Sequence, residues 1–387
     1  MLPYSHMKKV FAIVFLFFAF SGCTHAQQNN NADTLSMVKA QVIKVEKQGV
    51  QNVTGTSVNT IEQTLQVKIL DGDQTGNIVT IDNDYTTLTE GEVFYMQITK
   101  SSYDGSLSYA VSEPYRMPVI YFFIGLFILL VVIFGGIQGI RGLFSLAGSL
   151  VLIFYVLIPS ILNGYPSIWV GLGIAGIIIT LGSYITHGFR KTTSAAIVGM
   201  AITIVITSIL AFFAVHAAHF TGFSTEDTVY LNMDTAGSIN FLNLLLAGII
   251  IGLLGILYDV AISQAVSVEE LHTVAPHLSR REIYNRAIRI GREHIGALVN
   301  ILAIAYVGAS LPIILLYVQS AQFSNMVLVN KELFSTEIIR TMVGSIGLII
   351  AVPITTAIAV YILIQPQKKS ISKNVERGEK KEIQDIH

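Results

Sequence analysis

The chain has 387 residues, 52% hydrophobic and 13% charged, with a mean hydropathy of +0.62. Soluble domains carry about 25% charged residues, so a surface that faces water all round is excluded. The formal net charge of −1 offers nothing to nucleic acid, and the single cysteine, Cys23, excludes an internal disulfide or a cysteine metal cluster.

In chain order, Lys8 and Lys9 precede an apolar run from Val10 to Phe20. The run is too short for a comfortable membrane crossing, which takes about 20 residues, and it matches the core of an export signal. Phe20-Ser21-Gly22-Cys23 resembles a bacterial lipobox, which makes Cys23 a candidate lipidation site. Cleavage after Ala26 and an uncleaved signal anchor over 1–26 are the other two outcomes. All three send the following segment outside. Residues 27–36 are polar and expected to be loose.

From Met37 to about Val111 the pattern has period two: Val38, Ala40 and Val42, then Leu65, Val67 and Ile69, then Phe94, Met96 and Ile98. Asp71-Gly72, Glu90-Gly91 and Asp104-Gly105 separate the runs. This predicts an extracytoplasmic domain over 37–112 of five or so short antiparallel strands, a small barrel or sandwich. Asp71-Gly72-Asp73-Gln74-Thr75-Gly76 has the oxygen spacing of a calcium loop, but strands flank it, and a plain hairpin turn is the better reading. No metal or cofactor is expected.

Beyond Met117, seven apolar stretches are each long enough to cross, at 117–136, 142–163, 165–186, 192–218, 239–262, 295–318 and 337–364. Backbone groups in lipid must be satisfied within the segment, so the expected form is a seven-helix membrane domain over 117–364. With the β domain outside, the loops assigned to the cytoplasm hold Arg141, then Arg190 and Lys191, then Arg280, Arg281, Arg286, Arg289 and Arg292. The charged tail, 365–387, is also inside, whereas the opposite loop at 219–238 holds Glu226, Asp227 and Asp234. That asymmetry is the positive-inside rule. It predicts a bacterial cytoplasmic-membrane protein with its C-terminus in the cytoplasm.

Two helices carry candidate site residues. Gly248, Gly252, Gly255 and Asp259 recur on one face of the fifth span, and Gly296, Asn300 and Gly308 mark the sixth. Small residues let backbones approach, and a carboxylate in such a seam needs a partner, water or a proton. These helices are expected to pack through the glycines and to bring Asp259 and Asn300 together as a polar transport site. The alternative is that Asp259 is a helix-end carboxylate pairing with an arginine of the next loop. In the 263–294 loop, Ser279-Arg280-Arg281-Glu282 reads as a capping box, and Ile283, Ala287 and Ile290 give its basic helix an apolar face for lying on anionic lipid. His216 and His219, spaced three apart, read as interfacial histidines, and Pro353 with Thr355 and Thr356 marks a kink. No P-loop, zinc-protease motif or nucleophile–base pair occurs, so an enzyme is not expected.

The stretch from about Val67 to Gly344 resembles the YibE/F-like family of bacterial membrane proteins. The resemblance rests on Ile69-Leu70-Asp71-Gly72, Tyr115-Arg116, Gly135-Gly136, Gly139 and Arg141, Pro159, Gly164, His187-Gly188-Phe189 and Thr221-Gly222. Its most specific part runs from Ala247-Gly248 through Asp259-Val260-Ala261-Ile262-Ser263 to Glu269-Glu270-Leu271. Gly291-Arg292, Asn300 and Ala305 to Pro312 follow. The resemblance implies a multi-pass, permease-like architecture and little chemistry. The expected function is a secondary transporter of an unknown small solute or ion, with the bilayer as partner. The alternative is a membrane scaffold or sensor whose β domain binds a ligand, acting as a homo-oligomer or with a partner membrane protein.

Overall fold

The computed structural model describes residues 33–52, 59–319 and 324–364. The signal segment, Cys23 and the charged tail lie outside them. The chain forms two compact units, Met1–Ile133 and Phe134–His387.

The first unit is built on a five-stranded antiparallel sheet of order β3-β2-β1-β4-β5. Its strands are β1 Thr34–Asn52, β2 Asn59–Ile69, β3 Ile78–Asn83, β4 Val93–Lys100 and β5 Leu107–Pro114. β1 starts at Thr34, inside the stretch expected to be loose, because Thr34 to Met37 pair with Lys100 to Gln97 of β4. Every apolar residue of the expected inner face is buried, from Val38, Ala40 and Val42 to Phe94, Met96 and Ile98. Leu88 closes this core, and buried Gln63 secures it by accepting from the Leu88 N–H (2.9 Å) and donating to its carbonyl (2.9 Å). The sheet curls so far that the Tyr85 hydroxyl, just past β3, donates to Glu113 on β5 (3.0 Å). The 71–76 segment is a turn between β2 and β3, and Asp71 accepts the Lys39 N–H (2.5 Å).

Beyond the sheet the described residues are helical, and six helices among them are long and apolar enough to cross a membrane. The expected first and second spans follow one another without an intervening loop over Met117–Leu162, with a break at Gly136, where the first was expected to end. This stretch comprises α1 (Met117–Leu152), a π turn (Ile153–Leu157) and α2 (Ile158–Leu162). Gly136 breaks it with φ 53° and ψ −139°, a conformation that only glycine adopts cheaply. The remaining helices are α3 (Ser167–His187), α4 (Lys191–Ala217), α5 (Glu226–Asp234), α6 (Phe241–Val274), α7 (Arg280–Ala309), α8 (Leu311–Gln319), α9 (Asn325–Asn330) and α10 (Glu332–Leu363).

Two expectations are corrected here. The 263–294 segment is not a loop bearing a helix that lies on lipid. α6 and α7 continue through it as a helical hairpin turning at 275–279, and Ile283, Ala287 and Gly291 are buried in the bundle. The capping box does open α7: Glu282 accepts from the Ser279 N–H (2.8 Å), and the Glu282 N–H donates to the Ser279 hydroxyl (3.3 Å). The expected span at 295–318 is also divided. α7 ends at Ala309, and α8 starts beside Pro312, whose nitrogen has no hydrogen to continue the ladder.

Contacts set the direction of each helix. Gly171 meets Ala247 and the Tyr258 hydroxyl donates to the Gly182 carbonyl (3.3 Å), so α3 and α6 are parallel. Gly199 meets Thr355 and Gly347 meets Thr207, so α4 and α10 are antiparallel. Gly291 meets Val352, Gly344 meets Leu302, and Arg280 Nε donates to the Ile364 carbonyl (2.8 Å), so α7 also opposes α10. Gln138 bonds His187 (3.2 Å) and Gly182 meets Ser145, so α1 beyond Gly136 opposes α3. The helices therefore alternate. Arg141, Arg190, Lys191, Arg280 and Arg281 gather at one end, and Glu226, Asp227, Asp234 and Glu332 at the other. At the acidic end Gly222 (φ +86°) sits where a Cβ would lie 2.5 Å from the Phe241 carbonyl carbon, and its N–H donates to Glu332 (2.7 Å).

Candidate functional site

α4 begins at Lys191 with no side-chain cap on its first N–H groups. The first four N–H groups of a helix lack an intrahelical partner, and the helix start carries about half a positive charge. In this chain the Ser194 N–H is satisfied by the Arg190 carbonyl (3.0 Å). Beside this start lies a cavity of about 120 Å³. Gln138 and Arg141 reach it from α1, His187 from the end of α3, Arg190 and Thr192 from the start of α4, and Glu269 from α6. Ile262 and Val266 form its apolar wall. Among the described residues neither the Arg141 nor the Arg190 guanidinium has a hydrogen-bond or ion-pair partner. Thr192 is 5% exposed, and its hydroxyl is buried without a partner.

From this cavity a polar seam runs into the bundle along the α4–α10 contact. Gly199 and Gly347 bring the two backbones close: a Cβ at Gly199 would stand 2.5 Å from the Thr355 hydroxyl, and one at Gly347 2.8 Å from that of Thr207. Thr203 and Thr207 donate back to their own helix, to the Gly199 and Thr203 carbonyls (2.8 Å each). Thr356 donates to Gln264 of α6 (3.0 Å), and Gln264 is 1% exposed. The hydroxyls of Ser208, Ser345 and Thr355 are buried with no partner among the described residues. Leaving a buried polar group unpaired costs about 1–3 kcal/mol. Gln264, Thr192 and the Gly199–Thr355 contact were not singled out from sequence. The signal was present: Thr192, Gly199, Thr203 and Thr207 recur at seven, four and four on one face of α4.

The residues expected to form a site on α6 and α7 face elsewhere. Gly248, Gly252, Gly255 and Asp259 are exposed, as are Gly296, Asn300 and Gly308. Nothing comes within 4 Å of a Cβ placed at Gly248, Gly255, Gly296 or Gly308, and Gly252 meets only the Tyr306 hydroxyl, at 3.7 Å. Asp259 and Asn300 make no hydrogen bond among the described residues. The glycine face is therefore not the packing seam of this chain. Leu253, Leu257, Val260, Ala261 and Gln264 form the buried face of α6, and α7 meets it at Gly291, where a Cβ would lie 2.8 Å from the Gln264 amide.

Arg280 is held at the end of α10 by the Tyr361 ring (5.6 Å) and the Ile364 carbonyl, while Arg281, Arg286, Arg289 and Arg292 are exposed. Arg340, near the acidic end, pairs with Glu337 (3.2 Å). The His216 and Phe212 rings lie 4.0 Å apart, tilted by 35°.

The sequence profile of the YibE/F-like protein family matches residues 123–365. The chain belongs to that family. No curated protein and no solved structure matches it. The matched stretch of this YibE/F-like protein contains every residue of the cavity and of the α4–α10 seam, and the sheet domain lies before it. The stretches His187-Gly188-Phe189 and Thr221-Gly222, on which the resemblance was read, have structural roles. Gly188 (φ 78°) ends α3 beside the cavity, with Phe189 stacked on Tyr184 (4.5 Å), and Thr221 and Gly222 anchor Glu332.

Proposed function

We propose that this YibE/F-like protein is a secondary transporter of the bacterial cytoplasmic membrane, taking a small solute between the basic cavity and the α4–α10 seam. The observation that carries the reading is the set of buried hydroxyls, Thr192, Thr355, Ser345 and Ser208, that lack partners among the described residues. Polar groups at such depth mark pathways, because a purely structural helix contact gains nothing from leaving them unpaired. Seven crossings fit this reading. Met117 to Gly135 is uncharged and, at 19 residues and 1.5 Å each, reaches about 28 Å, so Gly136 would divide two spans. An odd count puts the sheet domain outside when the arginine-bearing end is inside.

The test compares metabolite accumulation in cells lacking the protein, cells restored with wild type and cells restored with Thr355→Val. Valine keeps the shape and removes the unpaired hydroxyl. The expected result is a solute whose level follows wild type but not the variant, at equal membrane abundance. Full restoration of every affected level by Thr355→Val would remove the seam from the mechanism.

A second reading is a scaffold or sensor that binds another membrane protein or a second copy. The bare face of Gly248, Gly252, Gly255 and Asp259 favours it, because small residues suit close helix association in lipid. Cross-linking through Gly255→Cys in native membranes discriminates: a single discrete adduct favours the scaffold.

A further inference from the structure

We infer that the cavity at the start of α4 is a binding site for a proton-bearing tetrahedral oxyanion, phosphate in chemical class. Arg141 and Arg190 bring two guanidinium groups to one cavity, and neither is neutralised by an ion pair among the described residues. Arginine is the side chain best shaped to grip a planar or tetrahedral oxyanion with two parallel N–H donors. The uncapped start of α4, a helix of 27 residues, adds backbone N–H groups and a positive dipole end. Thr192, another residue of the cavity lining, is 5% exposed, and its buried hydroxyl has no partner among the described residues. The Gln138 amide and His187 ring, bonded to each other at 3.2 Å, complete a polar wall. A cavity of about 120 Å³ has room for a five-atom oxyanion.

Glu269 decides which oxyanion. Its carboxylate repels a fully deprotonated anion such as sulfate. Orthophosphate keeps at least one O–H at neutral pH and can donate it to that carboxylate, turning repulsion into a charge-assisted hydrogen bond. The same logic disfavours phosphodiesters, which have no proton to give.

Phosphate as the solute rests on the transport reading above, whereas phosphate binding is measured apart from it. The experiment is calorimetric titration of the full-length protein in phosphate-free detergent buffer with inorganic phosphate and with sulfate. A parallel arm uses phosphatidylcholine nanodiscs with and without phosphatidic acid, whose headgroup is a phosphomonoester. The expected result is phosphate binding at least about tenfold tighter than sulfate, and about tenfold weakening by Arg190→Gln or Arg141→Gln. Glu269→Gln keeps the guanidinium pair and is expected to raise sulfate affinity toward that of phosphate, a gain that misfolding cannot imitate. If phosphatidic acid occupies the site in place of free phosphate and the same arginine variants abolish it, the site stands with a lipid headgroup as its source. Equal affinity for sulfate and phosphate, an unchanged ratio in Glu269→Gln, or no binding in either arm overturns the inference. Phosphate binding without phosphate uptake in proteoliposomes leaves the site standing and overturns phosphate as the transported solute.

Discussion

At position 199 a hydrogen is the largest substituent that fits between α4 and α10. A Cβ there would lie 2.5 Å from the Thr355 hydroxyl and 3.0 Å from its Cα, so backbone as well as side chain would have to move. Gly199→Ala should therefore cost about 1–3 kcal/mol, the usual range for overpacking, read as a lower unfolding midpoint of the detergent-solubilised protein. Gly248→Ala and Gly255→Ala meet nothing within 4 Å. They should leave the midpoint unchanged or raise stability by up to about 1 kcal/mol, because alanine is the better helix former. A marked loss at those positions would mean that another chain covers the face.

Also at the residue scale, Asp104 holds the turn between β4 and β5. It accepts from the Ser106 hydroxyl (2.7 Å) and N–H (3.0 Å). Those bonds, the hydroxyl first, with help from Ser101, lower its pKa from 3.8 to about 2. A depressed carboxyl contributes stability at pH values above its unfolded pKa and loses it as pH falls through the folded one. The turn should thus weaken between pH 3.8 and about 2. In Asp104→Ala that portion of the acid dependence should vanish, as measured by acid titration of the sheet domain's unfolding within the full-length protein.

At the scale of elements, the reciprocal Ser279–Glu282 bonds open the most basic helix of the chain. Ser279→Ala removes the acceptor of the Glu282 N–H and should cost about 0.5–2 kcal/mol, seen as faster hydrogen exchange over the first turn of α7. Elements were legible where water sits on one side. In β1, β2 and β4 the period-two alternation named the buried face residue by residue, because only one face can be apolar when the other is wet. In α6 both faces are apolar, since one meets lipid and the other meets protein. Hydrophobicity then cannot tell inside from outside, and the glycines pointed to the wrong face. The charges of 280–292 suggested a loop, yet they sit on a helix whose other side, Ile283, Ala287 and Gly291, packs on the bundle. The break at Gly136 falls where the first span was expected to end, although no polar loop follows it.

At the scale of the molecule, charge and direction agree. Helices that alternate in direction carry Arg141, Arg190, Lys191, Arg280 and Arg281 to one end, where the cavity lies, and four carboxylates to the other. The candidate site was only partly legible at this scale. Arg141, Arg190 and Glu269 stood out as charges, and Arg141 and Glu269 also in the resemblance, but they lie on three helices whose meeting depends on packing that no local pattern shows. The separation of charge by end is what a bilayer selects, through the cost of moving arginine across it.

The most direct test of that account is the sidedness of its two ends. Single cysteines at Arg281 and at Glu226 would be probed in intact cells with a membrane-impermeant thiol reagent, against the labelling of the unsubstituted chain. The account predicts that Glu226→Cys is labelled from outside and that Arg281→Cys reacts only after the membrane is opened. Labelling of Arg281→Cys in intact cells would contradict it.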